Sequence, residues 1–83
     1  MLASLGELSL DLLRAFEAAA RLRSFTAAAA ELGTTQPAVS QQIKRLEEQL
    51  AIRLFDRIYR GIELTDAGYT LFEAVQGGLR SID

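Results

Sequence analysis

The chain has 83 residues, room for one domain with a modest core that a partner subunit often completes, and 49% of it is apolar with a single Pro, which points to a mostly helical protein. It has no Cys and no His, so disulfides, thiolate metal sites, the usual general base and the commonest metal ligand are excluded; no cofactor, metal or enzymatic centre is expected, and the missing Cys fits a reducing cytoplasm. The formal net charge of −2 argues mildly against nucleic acid, but from Gln41 to Arg60 five cations (Lys44, Arg45, Arg53, Arg57, Arg60) meet three anions (Glu47, Glu48, Asp56), so the basic part lies mid-chain.

A first helix is predicted from a Ser9 cap to about Leu22, with Leu12, Leu13, Phe16, Ala19 and Ala20 as its buried stripe. Ser24 can cap a second helix whose Phe25, Ala28, Ala29 and Leu32 face inward, and Gly33 ends it with a positive φ. Thr35 is a cap candidate for a third helix, with Pro37 in the first turn, where its missing N–H would have had no intrahelical partner. Val39, Ile43, Leu46 and Leu50 step by four, three and four and form one narrow apolar seam. Pro37, Gln41, Lys44 and Glu48 point the other way, with Ser40 on one shoulder and Ala38 and Arg45 on the other.

After that helix, Ile52, Leu54 and Phe55 read as buried, and Ile62 and Leu64 alternate with Glu63 as a strand does. Tyr59-Arg60-Gly61 reads as a tight turn in which Gly61 supplies the unusual dihedrals. Thr65 caps a last helix from about Asp66, whose apolar positions are Leu71, Phe72, Val75, Leu79 and Ile82, a long stripe for so little remaining protein. Gly77 and Gly78 fall inside it; each costs about 1 kcal/mol relative to Ala, which is expected to weaken the helix past Gln76. No apolar run approaches the roughly 20 residues of a membrane span, and no signal-peptide pattern opens the chain.

Two short helices joined by a tight Gly-containing turn, small alanines on the first and a Val/Ile seam on the second, make a helix-turn-helix pattern. The alanines let the helices approach at their crossing, and the second helix can then project its N-terminal half into a major groove. Short or amide side chains suit that face: Gln, Ser and Lys meet base edges where Glu would meet phosphate. Arg57 and Arg60 flank a turn beside this helix, where a winged helix-turn-helix reaches the neighbouring phosphates or minor groove. Taken singly, the same features also describe an amphipathic helix of a small bundle and a hairpin with solubilising arginines.

In order and at matching spacing, LLRAFEAAA (12–20), SFTAAAAELG (24–33), TQPAVSQQIKRLEEQL (35–50), RLFDR (53–57) and Arg60 … Leu64-Thr65 … Ala67-Gly68 resemble the N-terminal DNA-binding domain of LysR-type transcriptional regulators over nearly the whole chain. The resemblance implies a mostly α fold: a winged helix-turn-helix with a three-helix core and a two-stranded wing over 1–64, then a long linker and dimerisation helix over 65–83. It implies sequence-specific binding of double-stranded DNA, helix 36–50 in the major groove and wing 57–62 on the adjacent backbone or minor groove. Thr35, Gln36, Pro37, Ala38, Ser40, Gln41 and Lys44 stand at the family's DNA-facing positions, and Arg57 and Arg60 at its wing positions. Tyr69, Leu71, Phe72, Val75 and Leu79 stand on the helix that pairs with a second subunit, so a homodimer over an interrupted inverted repeat is expected, with a tetramer only in a full-length regulator. The effector-binding domain that normally follows has no counterpart in these residues, so the resemblance implies an excised DNA-binding fragment.

The chain departs from the family at three places: Thr34 where a Val- or Ile-like residue is usual, Gln41 where Arg is frequent, and Ala51 where Gly is frequent. Two other readings are weighed on the sequence, a winged helix of the molybdate-responsive or MarR-like kind, the latter opposed by the RLFDR and Leu64-Thr65-x-Ala67-Gly68 spacing, and a protein-docking winged helix. Arg21 and Arg23 read as a solvated helix end, with Arg23 a further phosphate candidate, and Glu31, Glu47 and Glu48 as a solvent face or subunit contacts.

Overall fold

A computed structural model describes the backbone of residues 9–82 and the side chains of residues 9–78. Helix α1 spans Leu10–Leu22, α2 Phe25–Leu32, α3 Gln36–Leu50, strands β1 Phe55–Ile58 and β2 Gly61–Leu64 follow, and α4 spans Asp66–Ile82. This is the winged helix-turn-helix that the residue pattern predicted.

Each of the first three helices starts on a hydroxyl that accepts from an otherwise unpaired N–H. Ser9 Oγ accepts from Leu12 N–H at 3.1 Å, Ser24 Oγ from Ala27 N–H at 3.0 Å and Thr35 Oγ1 from Ala38 N–H at 3.3 Å. Leu12, Phe16, Ala19 and Ala20 of α1 are buried as expected, and so are Ala15 and Ala18, because α1 is covered by three other helices rather than along a single stripe. Ala28 and Ala29 put α2 close against its neighbours. Leu32, predicted to face inward, is 38% exposed: it sits on the last turn of α2, where the chain leaves the helix at Gly33 (φ 70). The turn closes with Thr34 N–H on Ala29 O at 2.9 Å, and the Thr34 side chain stays outside the core.

Val39, Ile43 and Leu46 form the buried seam of α3, with Leu50 half-buried. Ala51 closes the helix in the left-handed conformation (φ 57), so the end forms as a glycine would form it. Ile52 was expected inside but is 43% exposed: its N–H bonds back to Glu47 O at 3.2 Å to finish the cap, and this leaves its side chain pointing outward.

The strands pair antiparallel, Phe55 opposite Leu64 through Ile58 opposite Gly61. Phe55 roots this wing in the core, its ring 5.5 Å from those of both Phe16 and Phe25. The turn residues are Tyr59 and Arg60, and the positive φ falls on Arg60 (68°), not on Gly61. The left-handed residue falls at the second position of this two-residue loop, as in a type II turn, and Gly61 has already entered the ladder opposite Ile58.

Thr65 locks the wing to α4. Its N–H reaches Leu54 O at 3.0 Å, its hydroxyl donates to Arg53 O at 2.7 Å, and the same oxygen accepts from Gly68 N–H at 3.0 Å. Gly68 has no room for a side chain: a Cβ there would collide with the Leu54 carbonyl oxygen and lie 2.8 Å from Leu64 Cδ2. Val75 joins the core, and Leu71 and Phe72 pack against it half-buried. The expected weakening of α4 past Gln76 does not interrupt it; the helical backbone continues through Gly77 and Gly78 to Ile82. Among the described residues, no helix is long and apolar enough to cross a membrane.

Candidate nucleic-acid interface

Because α3 buries one narrow seam, its other side is left to solvent. Pro37, Gln41 and Lys44 are exposed and Ala38 and Ser40 are half-buried on the shoulders, as the wheel predicted; Thr35 and Gln36 are exposed beside them. Pro37 and the Thr35 cap start this face rigidly. No acidic residue lies in the first turn of α3, so its dipole-positive end carries no competing carboxylate.

The wing lies beside this face. A groove of about 560 Å³ separates α3 from β1 and is lined by Ser40 and Lys44 on one wall and Arg53, Asp56 and Arg57 on the other, with Phe55 and Ile62 at its base. Arg57 is exposed and opposite Ile62 in the ladder, so the pleat puts it on the apolar root's side of the wing. Among the described residues the ion pairs join Arg21 to Glu17 and Glu31, and Arg53 to Asp56 at 3.0 Å; Lys44, Arg57 and Arg60 stay out of them. Their charge is available to an outside anion.

Arg60 does not face this groove. It lines a second one, of about 420 Å³, with Arg57, Ile58, Arg23, Ser24 and Thr26 at the start of α2. Ala38 and Gln41 line a third recess, of about 510 Å³, against Asp11, Arg14, Leu32 and Thr34. The predicted residues therefore divide: Ser40, Lys44 and Arg57 converge, Arg60 stands apart at the wing tip, and Ala38 and Gln41 lie on the flank of α3 turned to α1.

Of the expected pairing residues on α4, Tyr69 is 49% exposed, Leu71 and Phe72 are half-buried, and Val75 is 9% exposed in the chain's own core. The Leu79 side chain lies outside the described residues.

The relation of helix to wing is held by a residue read from the sequence as a solvated face or subunit contact. Glu47 Oε2 accepts from Leu54 N–H at 2.7 Å and from Phe55 N–H at 3.3 Å, so a carboxylate on α3 fixes the start of β1. The family model described as bacterial regulatory helix-turn-helix protein, lysR family, matches residues 10–69, the three-helix core, the whole wing and the first turn of α4.

The chain belongs to the lysR family.

Similar relatives within the family include the HTH-type transcriptional activator AmpR of Providencia stuartii, 51% identical over 76 residues that cover 92% of this chain and 26% of that protein. The HTH-type transcriptional regulator BudR of Klebsiella aerogenes is 54% identical over 66 residues, 80% of this chain and 46% of BudR. The chain thus spans about a quarter of the length of the AmpR relative. Among solved structures, the BenM DBD in complex with benA site 1 DNA is similar with a TM-score of 0.86 at 37% identity, covering 92% of this chain and 85% of that one. The CbnR DBD–DNA complex gives 0.84 at 35% identity, covering 90% and 86%.

Sequence reasoning on this lysR-family chain missed the part played by Glu47. Nothing in its spacing marks it, because its partners are two backbone N–H groups seven and eight residues later. Arg21 and Glu31 are exposed, as read, but the sequence did not show that Arg21 Nε donates to Glu17 at 2.8 Å and its Nη2 to Glu31, an ion-pair bridge from α1 to α2. Hydrogen bonds donated to Glu17 and then to Glu31 hold the Arg21 guanidinium more firmly protonated than usual.

Proposed function

We propose that this chain binds double-stranded DNA sequence-specifically as the DNA-reading part of a cytoplasmic transcriptional regulator, with α3 in the major groove and the wing on the adjacent backbone or minor groove. One observation carries the reading: the polar face of α3 and the unpaired Arg57 of the wing border a common groove whose free cations are Lys44 and Arg57. Thr35, Gln36, Pro37, Ala38, Ser40 and Gln41 meet base edges and thymine methyls, Lys44, Arg57 and Arg60 meet the charged backbone or minor groove, and discrimination comes from the first set. That the similar BenM and CbnR domains form complexes with DNA supports the DNA-binding reading as a whole. Two copies pair through the linker and dimerisation segment 65–83, where α4 carries Tyr69, Leu71, Phe72 and Val75 and the sequence adds Leu79, and span an interrupted inverted repeat; a tetramer forms only in the full-length regulator. The half-exposed Tyr69 supports that surface, while the burial of Val75 limits what the lower part of α4 offers a partner.

Selection of bound duplexes from a random pool, followed by gel shifts over a salt series, tests the reading. Recovery of a common motif with affinity falling steeply as salt rises is expected. Binding that salt leaves unchanged would instead favour docking of α3 on a protein.

A further inference from the structure

The wing tip holds two features that folding does not explain. Tyr59 is 86% exposed, the highest value among the large apolar side chains described, with Ile58 beside it at 46%. A ring left in water adds little to the stability of the fold. Arg60 adopts φ 68, a conformation that L residues other than Asn, Asp and Gly rarely take, at the turn position where glycine is the ordinary choice. Strain of this kind persists where a side chain is needed.

The two features meet. The Arg60 guanidinium carbon lies 5.2 Å from the Tyr59 ring centroid, within the range of a cation–π contact, and Arg60 enters none of the ion pairs among the described residues. An arginine on an ordinary hairpin samples many rotamers; an aromatic face beneath its cationic carbon selects among them. The ring is therefore not presented as a bare wedge for insertion between base steps, since a cation covers one of its faces.

Resting on the DNA-binding reading above, we propose that Tyr59 is a positioning residue for Arg60, holding the guanidinium plane so that it slides edge-first into the minor groove beside the site read by α3. Held over the ring face and outside any ion pair, the guanidinium keeps N–H donors free for the adenine N3 and thymine O2 acceptors of that groove. The contact favours A·T-rich flanks, where the groove is narrow and its negative potential strongest. Its strength grows as docking strips water from the pair.

The test uses the 83-residue chain and a duplex recovered with it from the random pool, with the flank under the wing made A·T or G·C. Dissociation constants are measured for the unaltered chain, Tyr59→Phe, Tyr59→Leu, Arg60→Ala and the Tyr59→Leu/Arg60→Ala pair, each checked for an unchanged melting curve. On the A·T flank, Tyr59→Leu is expected to weaken binding about fivefold and Tyr59→Phe to stay within about twofold, because the phenyl face keeps the cation–π contact. Tyr59→Leu also reduces the preference for the A·T flank, and it costs nothing further once Arg60 is alanine. An equal loss from Tyr59→Leu with and without Arg60 overturns the proposal, because the ring then touches DNA itself; so does a Phe variant as weak as the Leu variant. Tight binding by the unaltered chain with either of those results leaves the general DNA reading standing. A chain that selects no duplex at all removes both.

Discussion

Three non-glycine residues, Arg23, Ala51 and Arg60, adopt positive φ, and they do so for different reasons. Ala51 ends α3 and exposes its methyl group, so only the backbone conformation is required there. Replacing it with glycine removes a left-handed penalty of about 1–2 kcal/mol, against which glycine's extra chain entropy subtracts roughly half. Ala51→Gly is expected to raise stability by about 0.5–1 kcal/mol in urea unfolding while leaving DNA affinity alone; a lower denaturation midpoint would show that the cap is not strained. On the reading face the expectations differ by chemistry. Gln41→Ala should erase preference for one base pair, by roughly 1–3 kcal/mol if the amide bonds in bidentate fashion, with little loss on scrambled duplex. Arg57→Ala should weaken every duplex alike and lower the salt slope by about one unit. Equal losses on cognate and scrambled duplex for Gln41→Ala would take Gln41 out of the base-reading set. The exposed residues of this face were legible in the sequence because a one-sided seam leaves the opposite side no alternative. The strained turn position was not, since a glycine one residue away offered the cheaper solution and the strand register withheld it.

Elements were legible where spacing and caps agree, and misread where one element's role is set by another. Ser9, Ser24 and Thr35 announced the first three helices, and Val39, Ile43 and Leu46 announced which side of α3 is buried. The outward turn of Leu32 and Ile52 was invisible, because hydropathy reports what a residue prefers and the end of a helix decides what covers it. Glu47 is the clearest case: as a side chain of α3 it reads as an ordinary solvated acid, yet it receives two N–H groups from the start of the wing. Glu47→Ala leaves both without this acceptor and should cost about 1.5–3 kcal/mol of stability, the range for hydrogen bonds to a charged group. Because the same bonds set the angle between α3 and the wing, the variant should also lose affinity on duplexes that extend under the wing and lose little on duplexes trimmed to the α3 site. Glu47→Gln keeps one acceptor oxygen and should lie between. An Ala variant that weakens trimmed and extended duplexes equally would mean that the carboxylate supports the fold but does not aim the wing.

At the scale of the molecule, the fold sorts charge that the sequence merely segregates. The acids outnumber the bases, for a net −2, yet Lys44, Arg57 and Arg60 stay unpaired on α3 and the wing, while Glu17 and Glu31 are engaged by Arg21 at the junction of α1 and α2. That junction ties α1 to α2, and its strength depends on pH. The hydrogen bond from Arg21 holds the Glu31 carboxyl below its ordinary value, against a smaller opposing effect of desolvation. Folding therefore lowers the proton affinity of this group, and the stability it contributes is fully present above the ordinary glutamate value of about 4.3. It is lost as pH falls through the lowered folded value, where the carboxyl protonates and the guanidinium loses its anionic partner. Glu31→Gln removes this one contribution and leaves Glu17 bonded to Arg21. The variant should be less stable than the original at neutral pH, and the two urea midpoints should converge as pH is taken from about 7 down to about 2.5. A gap that stays constant across that range would mean that the loss does not come from the titrating charge of Glu31.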